Sequence, residues 1–289
     1  MSDRYTDLFN RLADKDERAF VPFVMAADPS PEDSLTVIRK LVAVGADALE
    51  LGVPFSDPSA DGPTIQASHT RALAGGATVE RVLDIIRTIR GEYPELPIGM
   101  LVYGNVPVTR GLENFYHEFH AAGADSILLP DVPLRESEPF VAAARAEGID
   151  TVFIAPAHAG RETLADVATQ ATGYVYAISR DGVTGTERAA TSDGLGNVIG
   201  QLAQLGAPPV LVGFGISTPE HVRQVCAAGA AGAITGSAIT DILSRHLVDD
   251  AEKPVGEHGI PARKIGDRDA LAQRLHNYVK EMKAATSSQ

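Results

Sequence analysis

At 289 residues the chain is long for one domain, yet barrels of alternating strands and helices reach about 250 residues as a single unit. Its 44% hydrophobic and 22% charged residues fit an ordinary globular protein, and no apolar run approaches the roughly 18 residues of a membrane span. A formal net charge of −13 without any basic stripe argues against nucleic acid, while a small anion can still be held locally by backbone N–H groups.

Taken in order, the chain alternates helix and strand. Leu8, Phe9 and Leu12 at helical spacing predict an N-terminal helix over 4–15, before the apolar run 19–25, whose Val21, Phe23 and Met25 share one face of a first strand. A helix over 31–44 leads to a strand over 47–53. In it Leu49 and Leu51 point one way, and Ala48, Glu50 and Gly52 the other. The following stretch reads as a turn-rich loop, stiffened by Pro54, Pro58 and Pro63 and bent by Ser56, Asp57, Asp61 and Gly62. Helices near 79–90, 112–121, 136–147, 161–168, 195–205 and 220–228 then alternate with strands at 97–103, 126–130, 151–155, 174–179, 210–214 and 231–235. Eight short apolar strands, each followed by a crossover helix, favour a closed (β/α)8 TIM barrel with an extra N-terminal helix, one domain over 1–289. No Gly-x-Gly-x-x-Gly follows the first strand, as an open dinucleotide-binding sheet would show. Gly-Ala-Asp precedes two strands, at 45–47 and 123–125, and Ala-Gly-Ala-Ala-Gly-Ala leads into the last, as short turns in which glycine ends a helix.

A barrel gathers the C-terminal ends of its strands at one face, so Glu50, Asp61, Tyr103, Pro130, Tyr176 and Gly213 are expected to converge there. Two acids then flank one corner, Glu50 on a strand and Asp61 on a shaped loop. Taken singly, each also fits a salt-bridged or turn-capping role. Glycine clusters at 182–185, 213–217 and 236–237 follow the last three strands, where bare backbone and a helix start suit a phosphate. The connection 180–193 exceeds the two to six residues that suffice for such a link, which marks a lid or binding loop. Cys226, the single cysteine, reads as a packed core residue; with no apolar signal segment at Met-Ser-Asp-Arg-Tyr, the expectation is a cytoplasmic protein. His117 and His120 lack a third partner and read as solvated, so no metal is expected.

The run 49–66, Leu-Glu-Leu-Gly-Val-Pro-Phe-Ser-Asp-Pro-Ser-Ala-Asp-Gly-Pro-Thr-Ile-Gln, resembles the signature of the tryptophan synthase alpha chain family. So do Phe-Val-Pro-Phe-Val at 20–24, Ser-Arg-Asp-Gly-Val-Thr-Gly at 179–185, Gly-Phe-Gly-Ile-Ser at 213–217 and Gly-Ala-Ile-Thr-Gly-Ser-Ala at 232–238, in a likeness running from about residue 6 to 246 and through the closing helix. The resemblance implies cleavage of indole-3-glycerol phosphate to indole and glyceraldehyde 3-phosphate. Glu50 would be the acid–base group, Asp61 the group engaging the indole nitrogen, and Tyr176 a neighbour of the scissile carbon. Gly185, Gly215, Gly236 and Ser237 would take the phosphate, with Thr184 in the adjoining lid, and Phe23, Leu101, Leu128, Ile154 and Phe214 would wall the indole pocket. It further implies a beta chain as partner in an α2β2 assembly, with pyridoxal phosphate (PLP) in the beta chain and no cofactor in this one.

The sequence departs from the family pattern in places. Met-Ala-Ala at 25–27 stands where Thr-Leu-Gly is more usual, and Asp181 where a small or amide residue is common. The charged segment 248–269 is longer than the family's link into the final helix and reads as a surface loop. Rival readings are another phosphate-sugar barrel enzyme, which would need a strand-end lysine that no proposed strand carries, a free-standing indole-releasing lyase, and a non-catalytic regulatory barrel.

Overall fold

Apolar residues alternating along short strands give each strand two buried faces, and eight such strands close on themselves. In the computed structural model, which describes residues 3–178, 192–253, 255 and 259–287, these are β1 (Ala19–Met25), β2 (Leu49–Gly52), β3 (Ile98–Leu101), β4 (Ser126–Leu128), β5 (Asp150–Ala155), β6 (Val175–Ile178), β7 (Val210–Gly213) and β8 (Gly232–Thr235). They pair in parallel and in sequence order, and β1 pairs with β8 to close the barrel. Closure removes the sheet edges and leaves every strand buried on both sides.

Helices α1 (Asp3–Ala13), α2 (Pro31–Val44), α3 (Pro63–Ala74), α4 (Val79–Glu92), α5 (Asn105–Arg110), α6 (Leu112–Ala122), α7 (Glu138–Glu147), α8 (Arg161–Gln170), α9 (Ser192–Gln204), α10 (Pro219–Ala227), α11 (Ser237–Ser244) and α12 (Arg268–Ala284) complete the described elements apart from a 3-10 turn at Leu134–Glu136 and a short ribbon near the C-terminus. One apolar cluster lies between strands and outer helices and holds Leu49, Leu51, Ile86 and Phe119. A second fills the barrel interior with Val21, Phe23, Met25, Leu128, Tyr176 and Ile234. The expected division of Leu49 and Leu51 from Ala48 along β2 is therefore the division between these two cores. The N-terminal helix joins the inner cluster: α1 sends Tyr5, Leu8 and Leu12 into it, and the Tyr5 hydroxyl meets Ser126 Oγ at 2.9 Å.

The two Gly-Ala-Asp turns work as a unit. Gly45 (φ +124°) ends α2 and Gly123 (φ +103°) ends α6, each in a conformation that a Cβ disfavours. The aspartate that follows turns back to the neighbouring strand. Asp47 accepts the Phe20 N–H at 2.8 Å, and Asp125 accepts the Ile98 N–H at 2.7 Å.

Three expectations are corrected. The turn-rich stretch stops at Gly62, and Pro63 is the first residue of helix α3, not part of a loop. That helix escapes the periodicity test because its buried face includes Ser68 and His69 beside Ile65, Ala72 and Ala74. The fourth strand ends at Leu128, two residues early. Within 248–269, β9 (Leu247–Asp249) and β10 (Arg263–Ile265) pair antiparallel, with Leu247 and Ile265 buried. Asp33 of α2 anchors this ribbon by accepting the Ile265 N–H at 3.0 Å and an Arg268 N–H. Among the described residues no helix is long and apolar enough to cross a membrane.

Candidate active site

At the C-terminal ends of the strands lies a cavity of about 230 Å³. Every described residue to which the resemblance gives a site role lines it, while Tyr103 and Gly213, expected to converge on this face, do not, and Thr184 and Gly185 lie outside the described residues. Phe23, Glu50, Asp61, Leu101, Leu128, Ile154, Tyr176, Phe214, Gly215, Gly236 and Ser237 are all on its wall. The strand register explains the convergence: Phe23 pairs with Glu50, and Ile154 with Tyr176, so these inward side chains stand in neighbouring layers of one interior.

Glu50 is 1% exposed, and the Tyr174 hydroxyl donates to its Oε1 at 2.9 Å. Burial pushes its pKa up to about 7, against the Tyr174 hydrogen bond that favours the charged form, and the nearby negative charge of Asp61 adds to the rise. Near neutral pH both protonation states are therefore populated, which is what a group that must give and take a proton requires. Burial likewise raises the Tyr174 and Tyr176 hydroxyls far above their ordinary range, so both remain proton donors.

Asp61 is buried, and among the described residues its side chain meets two side-chain donors and no turn N–H. The Tyr103 hydroxyl donates to Oδ2 at 2.7 Å, and the same oxygen meets His69 Nε2 at 3.1 Å. Because the Ala60 N–H donates into the Tyr103 oxygen at 3.0 Å, the phenol proton is free to point at Asp61. Phe55 stacks on Tyr103 with ring centroids 5.1 Å apart, which fixes that ring over the loop after β2.

Small residues make room for the large ones. A Cβ on Gly213 would lie 1.9 Å from the Tyr176 hydroxyl, so only glycine there lets Tyr176 occupy the cavity wall. Phe214 (φ +65°) and Gly215 (φ +77°) then turn the chain through two successive left-handed residues at the end of β7. A non-glycine residue held in that region is costly and marks a site that needs the shape. Gly236 precedes α11, whose first-turn N–H groups and Ser237 face the same end of the barrel.

Sequence reasoning missed several wall residues. Ile178 and Ile234 stand two places along the strand from inward Tyr176 and two from Gly236, a period-two signal that was available. Ala60 and Ile65 were not, because they depend on the loop's path into α3. His69 was hidden with its helix. His117 is exposed and meets Glu147 at 3.1 Å, and His120 is exposed, as expected. Cys226 is half-buried against the outer core, and burial pushes its thiol up to about 11, in keeping with a packing role.

The family model for the tryptophan synthase alpha chain matches residues 9–286. A tryptophan synthase alpha chain of Corynebacterium diphtheriae is 60% identical over 283 residues, 98% of this chain and 99% of that protein. Among solved structures, tryptophan synthase subunit alpha of Legionella pneumophila superposes with a TM-score of 0.82 at 27% identity, covering 98% of each chain. A chain from the tryptophan synthase α2β2 complex of the hyperthermophile Pyrococcus furiosus gives 0.79 at 32% identity, covering 93% of this chain and 99% of that one.

Proposed function

The chain belongs to the tryptophan synthase alpha chain family, whose lyase reaction splits indole-3-glycerol phosphate into indole and glyceraldehyde 3-phosphate, and from that premise we propose how its residues divide the work. The observation that carries the reading is the pair of buried carboxylates on one cavity wall, Glu50 with its pKa raised to about 7 and Asp61 held by two donors. Glu50 in its acid form delivers a proton to indole C3. Asp61 accepts the ring N–H and offsets the positive charge that C3 protonation creates. Glu50, now a carboxylate, removes the glycerol hydroxyl proton; the carbon–carbon bond breaks, its electrons return to the ring, and indole and an aldehyde separate. The reaction needs no cofactor in this chain.

Phe23, Leu101, Leu128, Ile154 and Phe214 wall the indole ring, and Tyr176 stands beside the scissile carbon. Gly215, Gly236 and Ser237 receive the phosphate, with Thr184 and Gly185 completing the site. Replacing Ser237 with Ala is expected to weaken glycerol phosphate binding by roughly 1.5 to 3 kcal/mol, the worth of one hydrogen bond to a charged group. Titration calorimetry measures it, and unchanged affinity would place the phosphate elsewhere. This substitution is cleaner than filling Gly236, where a Cβ would sit 3.0 Å from the Phe23 ring and disturb the indole wall as well.

Indole is small, apolar and membrane-permeant, so its efficient use calls for a second active site close by. The partner is a PLP-dependent beta chain in an α2β2 assembly, working in the cytoplasm. The loop after β2 supports docking: Ser56 and Asp57 are exposed, Pro54 and Phe55 half-buried, and on the same end of the barrel α5 exposes the apolar side chain of Val108. Adding a beta chain should raise indole release well above the isolated chain's rate, and Pro54→Ala or Asp57→Ala should blunt that rise more than the basal rate. Full activity alone, with no co-migration on a sizing column, would make this a free-standing lyase.

A further inference from the structure

The imidazole of His69 is 1% exposed and sits on α3, between the Phe55 backbone and the Asp61 carboxylate of the loop after β2. Its Nδ1 lies 3.0 Å from the Phe55 N–H, and its Nε2 lies 3.1 Å from Asp61 Oδ2. A backbone N–H can only donate, so Nδ1 must be the bare, accepting nitrogen. The ring proton is therefore on Nε2, and it is donated to Asp61. The ring also packs edge-on against Tyr103, centroids 6.0 Å apart, so the two side chains that donate to Oδ2 support each other.

We propose that His69 is a positioning residue for the cleavage reaction: it fixes the plane of the Asp61 carboxylate with one ring nitrogen and ties the Phe55 backbone with the other. This rests on the reading of Asp61 given above. Two donors on Oδ2, from different directions, hold the carboxylate against rotation about its last bond. Among the described residues nothing donates to Oδ1, and Asp61 lines the cavity, so Oδ1 is the oxygen presented to the indole N–H. With His69 gone, Tyr103 alone would hold Oδ2, and the carboxylate could swing about that single contact. The same ring makes the start of the loop after β2, at Phe55, and its end, at Asp61, move together, because a shift of Phe55 is passed to Asp61 through one rigid five-membered ring.

The two nitrogens can be separated by substitution. In His69→Asn the amide oxygen overlays Nδ1 and keeps the Phe55 N–H, but nothing reaches Asp61. In His69→Gln the longer side chain carries its NH2 to the Nε2 position and keeps the donor to Asp61. Indole release by the full chain should fall about tenfold or more in kcat for His69→Asn, since one hydrogen bond to a charged group is at stake, with KM within about threefold. His69→Gln should recover to within about threefold of wild type. A general packing role would rank both amides by fit and thermal stability, and melting curves of the same preparations read that directly. In the Asp61→Asn background, His69→Asn should cost less than about twofold more. An equal loss in both backgrounds, or no recovery by Gln from a folded preparation, would overturn the role of His69 while leaving that of Asp61 intact. Wild-type turnover by Asp61→Asn itself would instead remove the reading of Asp61, and this role with it.

Discussion

Glu50→Gln is expected to keep substrate affinity and to lose about 10² to 10⁴ in turnover, the usual worth of a positioned acid–base group. The amide preserves the shape of the side chain, and its oxygen can still accept the Tyr174 hydroxyl, so the pocket stays intact while proton exchange is abolished. Turnover within a few-fold of wild type, measured beside binding on one preparation, would remove Glu50 from the chemistry. The same variant has a signature in stability. Because the folded chain raises the Glu50 pKa from 4.5 to about 7, the native state holds a proton that the unfolded state releases between those values. Its contribution is fully present below pH 4.5 and is lost as pH rises through about 7, by roughly 3 kcal/mol at most. Denaturant unfolding at pH 5 and pH 8 should show wild type losing more stability across that window than Glu50→Gln. Asp28, raised by burial to about 6 despite its pairing with Arg71, slopes the same way in both proteins and cancels in the comparison.

Asp61→Asn is expected to fold normally, to bind glycerol phosphate as wild type does, and to lose about 10² to 10³ in turnover, the scale of removing one preorganised electrostatic contact. The geometry explains why the fold should survive. An asparagine oxygen in the Oδ2 position still accepts from Tyr103 and His69, so neither buried donor is orphaned. What changes is the atom offered to the cavity: an NH2 now faces the indole N–H, donor against donor, and the charge that offset the protonated ring is gone. Steady-state kinetics with a melting curve decide it. Loss of folding would return Asp61 to a structural role, and unaltered turnover would leave the indole nitrogen without its acceptor.

Glu50 was legible in the one-dimensional pattern for a topological reason, whereas Asp61, on a loop, was singled out by the resemblance of the run 49–66 to the family signature. Strand alternation puts Glu50 on the same side as Ala48 and opposite Leu49 and Leu51, and a parallel barrel sends every strand's C-terminal end to one face. Period and direction together bring Glu50 and Tyr176 to one cavity without any knowledge of distances, while Leu128 and Ile154 on the same wall were named through the family resemblance. Glycine carried similar information at Gly45 and Gly123, where a left-handed turn excludes most side chains. The ribbon at 247–265 was not readable in this way, because strands of three residues are too short to show a period and their pairing depends on Asp33, more than two hundred residues away.

By itself, then, the sequence determined the barrel and its alternating units, which follow from local periodicity, and the resemblance of the run 49–66 to the family signature singled out the two acids. Only the tertiary structure decided how the acids are set. The raised pKa of Glu50 comes from burial within the closed barrel and from the proximity of Asp61, with Tyr174, 124 positions away, donating to its carboxylate. The orientation of Asp61 comes from Tyr103 on one side and from His69 on the other, on a helix whose buried face is too polar to announce itself. Such contacts join residues far apart in the chain or hidden in an irregular pattern, and hydrogen-bond direction and desolvation exist only once the chain has closed around them.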